Sequence, residues 1–142
     1  NAIVIRQTIT NSGQGETGLT DGCHPGATGT ITGIDTVSYQ SVQTAKGFHV
    51  EGTDVASGRI DWSDGSYTII GSTDHFAFNT TAGTTVSMEA HVDFGDNYSA
   101  DGVFLGHITF HAVSHLTVTN GIITRVSFEF NHLHLFGSDC SP

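Results

Sequence analysis

Proline occurs only twice in the 142-residue chain, and no stretch carries the 3.6-residue apolar period of an amphipathic helix. Basic side chains are almost as scarce. Four Lys and Arg stand against fourteen Asp and Glu, a formal charge of −10. A nucleic-acid backbone needs a basic face, so that class of partner is argued against, and anionic membrane surfaces with it. No apolar run approaches the ~20 residues of a membrane-spanning helix. The Gly-x-Ser-x-Gly elbow of an α/β-hydrolase nucleophile is missing. The two cysteines, Cys23 and Cys140, have no evident base beside them, which argues against a thiolate nucleophile.

What is present is β-forming sequence and turn residues. Glycine is abundant at 18 residues, and Thr, Val, Ile and Phe fill the runs between glycines. No linker, repeat or composition shift divides the chain, so residues 1–142 read as a single domain. The expected architecture is all-β, with eight to ten antiparallel strands in a small closed or nearly closed barrel. A two-sheet sandwich is the alternative. Alternation over residues 2–10 gives a first strand, and residues 11–29 read as a long loop. The chain starts at Asn1 rather than methionine, which fits a removed signal peptide and a secreted protein. In that oxidising setting a Cys23–Cys140 disulfide is expected, worth ~4–5 kcal/mol in the chain-entropy model.

Two turns organise the histidines and acids. Asn120-Gly121 predicts a two-residue type I′ hairpin, pairing residues whose numbers sum to 241. His107 then faces His134, Thr109 faces His132, His111 faces Phe130, Val113 faces Phe128 and His115 faces Val126. If Asp101-Gly102 also makes a two-residue loop, Phe94 faces Thr109, Val92 faces His111 and Ala90 faces Val113. The strand of residues 86–94 is cleanly binary: Val86, Met88, Ala90, Val92 and Phe94 against Ser87, Glu89, His91 and Asp93. Both registers put the histidines on the apolar face, which is the expected interior. His91, Glu89 and Asp93 then fall on solvent, as do His24 and His49.

His107, His132 and His134 are spaced to share one ion, since facing side chains have Cβ atoms ~5 Å apart. Zinc or another divalent transition metal is the cofactor such a trio would take, with an open position for water. The expected pocket is lined by His107, His111, His115, His132 and His134 with Phe128, Phe130, Tyr67 and Trp62. A two-residue Asp64-Gly65 turn would pair Trp62 with Tyr67 and Asp54 with His75. That pairing would give a carboxylate–imidazole dyad, with His111 as a further catalytic candidate. The same histidines also fit a metal-free polar pocket or purely structural roles.

The segments Asp64-Gly-Ser-Tyr67, Asp74-His-Phe-Ala-Phe-Asn79, Thr84-Thr-Val86 and His111-Ala-Val-Ser-His-Leu-Thr-Val118, with a terminal Cys140, resemble small secreted actinobacterial proteins. The resemblance implies secretion and a β-barrel-like domain, similar in architecture to lipocalin-like or allene-oxide-cyclase-like barrels. It implies no activity. Three functions stay open: a secreted small-molecule-binding barrel, a small enzyme using metal or His acid–base chemistry, and a cell-surface interaction protein with patches such as Phe76, Phe78, Ile108 and Phe110.

Overall fold

A computed structural model describes the backbone of residues 1–136 and the side chains of residues 1–127. The described chain is all-β. It runs through β1 (Ile3–Leu19), β2 (Gly29–Thr44), β3 (Gly47–Trp62), β4 (Tyr67–Thr81), β5 (Thr84–Tyr98), β6 (Phe104–Thr119) and β7 (Ile122–Phe136). Each strand pairs antiparallel with the next, giving one seven-stranded meander with β1 and β7 at its edges. The strands are fewer and longer than the eight to ten expected, and the sheet does not close. Glycines that read as interruptions lie inside strands instead. Gly13 faces Gly33 and Gly33 faces Gly58. A Cβ on Gly33 would sit 2.7 Å from the Ser57 carbonyl oxygen, so these strands approach where only glycine fits. β1 runs on to Leu19, absorbing extra residues in irregularities between Gln14 and Leu19. The connecting loop shrinks to residues 20–28.

The turns set the registers. Asn120 and Gly121, at φ +50° and +79°, make the expected two-residue turn, and so do Ala82 and Gly83 at +48° and +80°. Asp64-Gly65 does not. Trp62 N donates to Ser66 O at 3.0 Å, closing a three-residue loop with Gly65 left-handed at φ +88°. The Asp64 carboxylate caps it by accepting from Ser66 N at 2.9 Å. The hairpin therefore slips by one: Asp61 faces Tyr67, Thr53 faces His75 and Asp54 faces Asp74. The β5–β6 loop also holds three residues, but a bulge at Leu105 cancels the slip. Phe94–Thr109, Val92–His111 and Ala90–Val113 pair as expected. Between β6 and β7 two further irregularities intervene. His107 faces Phe136 rather than His134, Thr109 faces His134 rather than His132, and His115 faces Ser127 rather than Val126.

The sheet has one sheltered and one open face. On β3, Asp54, Ala56, Gly58 and Ile60 are half-buried and Trp62 is buried, while Val55, Ser57, Arg59 and Asp61 are exposed. The register carries this distinction to β5, where the sheltered side holds His91, Asp93 and Asn97. The apolar row of β5 is on the open face, with Val86 41 % and Phe94 42 % exposed. The expected interior and exterior are thus interchanged at this strand. The physical reason is the open sheet: no second layer covers the apolar row. The loop of residues 20–28 instead folds over one end of the sheltered face. There His24 stacks on Trp62 at 4.4 Å between ring centroids. Its ring bonds Ser66 Oγ at 2.7 Å and Asn97 Oδ1 at 3.0 Å. Trp62 Nε1 donates to Thr68 Oγ1 at 2.9 Å. His24, expected on the surface, is buried. Cys23 beside it is buried and is not a free thiol. Cys140 lies outside the described residues.

Candidate metal centre

One cross-strand row on the sheltered face carries the chemistry. Asp54 faces Asp74, and Asp74 faces His91, so three polar side chains stand side by side on β3, β4 and β5. The row is bounded by Val37 on β2 and Ala112 on β6. Glu89 and Asp93 lie two residues either side of His91, and strand alternation puts them on its face. Ligand atoms of Asp74, Glu89 and His91 all lie within 4.8 Å of one another.

The hydrogen bonds decide what the histidine can do. His91 Nε2 donates to Asp93 Oδ2 at 2.6 Å. That carboxylate fixes the tautomer, leaving Nδ1 as the nitrogen with a free lone pair. Nδ1 points toward Asp74 Oδ1 at 3.8 Å, too far for a hydrogen bond. Among the described residues, three solvent-shielded side-chain atoms lack a hydrogen-bond partner: Asp54 Oδ1, Asp74 Oδ1 and His91 Nδ1. All three belong to this row. Buried polar atoms are rarely left unpaired, because each costs about 1–3 kcal/mol.

The electrostatics agree. Burial first, then a hydrogen bond to Glu89 and the negative charges of Glu89 and Asp54, raise the Asp74 pKa to about 6; the His91 ring opposes this. Asp54 is also raised, by burial and by the Asp35 carboxylate. Crowded carboxylates in a sheltered row need positive charge. The donor set of two carboxylates and one imidazole fits a divalent transition metal, and three protein ligands leave a coordination position open.

Beside the row runs a groove of about 570 Å³ across β1 to β5. Gly13, Gly33 and Gly58 leave it a backbone floor, and Asp35 and Asp93 stand in its wall. Asp93 therefore touches both the groove and His91.

Most residues singled out from sequence lie elsewhere. His107 is on the open face. Its Nδ1 bonds Asp96 and its Nε2 bonds Thr109 Oγ1 at 2.6 Å, so neither ring nitrogen is left to hold a metal. The side chains of His132, His134, Phe128 and Phe130 lie outside the described residues. His111 and His115 share the open face with His107 and are half-buried, facing Val92 and Met88. The Asp54–His75 dyad does not form, because the three-residue turn shifts Asp54 onto Asp74 and leaves His75 exposed on the other face. Trp62 and Tyr67 do not pair: Tyr67 stacks on Tyr98 at 5.0 Å, with Arg59 over its ring at 4.0 Å. Sequence reasoning placed Glu89, His91 and Asp93 on solvent; Glu89 is exposed as expected, whereas His91 and Asp93 are half-buried. The usable signal was the alternation Glu-x-His-x-Asp, three potential ligands on one strand face.

No protein-family model, curated protein or solved structure matches this chain.

Proposed function

We propose that the protein is a secreted small-molecule-binding protein whose binding site is a divalent metal held by Asp74, Glu89 and His91. Asp54 and Asp93 support the site, and the ligand reaches the metal from the glycine-floored groove. The observation that carries this reading is the trio of shielded, unpartnered atoms on adjacent strands, with His91 oriented by Asp93 so that its free nitrogen joins them. A cation there would satisfy Asp74 Oδ1 and His91 Nδ1 directly, and it would relieve the mutual repulsion of Asp54, Asp74 and Glu89.

Titration calorimetry with zinc and with manganese tests it on the full chain. One ion per chain is expected, with affinity falling as the pH drops through about 6, where Asp74 takes up its proton. His91→Ala should weaken binding about 100-fold or more, and Asp93→Asn by roughly 10- to 100-fold, since loss of an orienting carboxylate typically has that effect. His107→Ala should change nothing. Equal affinity in wild type and His91→Ala would refute the site.

The open coordination position supports a second reading, an enzyme in which the metal activates water. Zinc-loaded protein would then hydrolyse an activated ester, and the metal-free chain would not.

Secretion and the Cys23–Cys140 bridge belong to the same proposal. Reduction should raise the intact mass by two hydrogens; an unchanged mass would rule the bridge out.

A further inference from the structure

The sheet has an unguarded edge. Every residue of β1 from Ile3 to Gly18 is exposed, and β1 has a neighbour on one side alone. An edge strand presents unpaired backbone N–H and C=O groups, and proteins normally blunt such edges with Lys, Pro or bulges. β1 contains no Lys and no Pro. Its irregularities are confined to the stretch from Gln14 to Leu19; from Ile3 to Gln14 it pairs with β2 without a break. In that regular stretch the sole charge is Arg6, whose Nε donates to Gln40 Oε1 at 2.7 Å within the sheet. None of the chain's fourteen acidic residues lies between residues 3 and 15. For a chain of charge −10, this edge is where two copies approach with least repulsion.

The surface area points the same way. The chain exposes 8866 Å². A compact monomer of its mass would expose about 7,000 Å², and a standard interface covers roughly 800 Å² per partner. The excess is more than enough for one such interface.

We propose that two copies of the chain pair through β1, antiparallel, about a twofold axis at Gln7. This register sets Ile5 of one copy opposite Ile9 of the other, twice. Ile5 and Ile9, 51 % and 41 % exposed, then cover each other on one face. On the other face Val4 meets Thr10 and Arg6 meets Thr8, so no like charges oppose. The two meanders, each of seven strands, become one continuous sheet. The pairing is isologous and self-limiting, because both β1 edges are consumed.

Sedimentation velocity of the full chain across the micromolar range should show a monomer–dimer equilibrium that stops at the dimer. The register is tested by Gln7→Cys. The two cysteines would lie opposite each other across the axis, at a Cα spacing that a disulfide spans. Mild oxidation should give a covalent dimer, whereas Val86→Cys on central strand β5 should not. Ile5→Lys with Ile9→Lys should raise the dissociation constant at least tenfold. A wild-type chain that stays monomeric overturns the proposal. So does association that persists while Gln7→Cys fails to cross-link, since another edge would then be responsible. If the lysine variant does not fold, the cross-linking result decides.

Discussion

Among single residues, Asp74 is the pivotal one. Its carboxyl is raised from 3.8 to about 6 in the folded chain, chiefly by burial and then by Glu89. Between those values the unfolded chain has released the proton and the folded chain retains it. Metal-free stability therefore falls as pH rises through this window, and the deficit persists at neutral pH. Asp74→Asn should stabilise the metal-free protein at about pH 7 by about 1 kcal/mol, discounting for partial solvent access, with the gain vanishing below about pH 4. Urea denaturation at the two pH values checks this. The same substitution should weaken metal binding, so stability gained and affinity lost are expected together. From sequence, Asp74 carried no distinguishing mark. Its character comes from Asp54 on β3 and from Glu89 and His91 on β5, brought alongside by two hairpins.

Among the strands and loops, turns decide which side chains meet. The all-β class and the Asn120-Gly121 turn were legible, because turn residues needing positive φ announce themselves; the β5–β6 register came out as expected only because the bulge at Leu105 offsets a three-residue loop. The one-residue difference at Asp64-Gly65 was not. A two-residue and a three-residue loop share the same Asp-Gly signature, and Ser66 selects the longer by donating to Asp64. That single residue changes Asp54's partner from His75 to Asp74 and leaves His75 on the opposite face. Gly65→Ala at φ +88° should cost about 1 kcal/mol and leave the register intact, as strand amide exchange would report. The plug of residues 20–28 was likewise invisible, since an aperiodic loop gives no sign of which side chain it buries. His24→Ala removes the ring that Ser66 and Asn97 bond, both buried. A loss of about 2 kcal/mol is expected in urea denaturation, from two lost hydrogen bonds and a lost stacking partner, since Ser66 Oγ keeps its bond to Asp64 and Asn97 Oδ1 keeps that from Thr68 Oγ1.

For the molecule as a whole, the open sheet explains why hydrophobic alternation misled. Alternation reports which residues share a face, and it did so correctly for Val86 to Phe94. It does not report which face is covered; that depends on where the rest of the chain lies. Here the cover is a short loop at one end, and apolar residues stay exposed on both faces. A molecule so built is expected to bury further apolar surface by association. Its metal-binding row and its pairing edge are separated by β2, so Ile5→Lys with Ile9→Lys should leave metal affinity unchanged, a result that calorimetry on the monomeric variant would show.

A crystal structure of the zinc-loaded protein, with anomalous data collected across the zinc edge, would locate the ion outright. One strong peak is expected on the sheltered face, within coordination distance of His91 Nδ1 and carboxylate oxygens of Asp74 and Glu89. A map without a peak there, or with its strongest peak among the histidines of β6, would contradict the metal site.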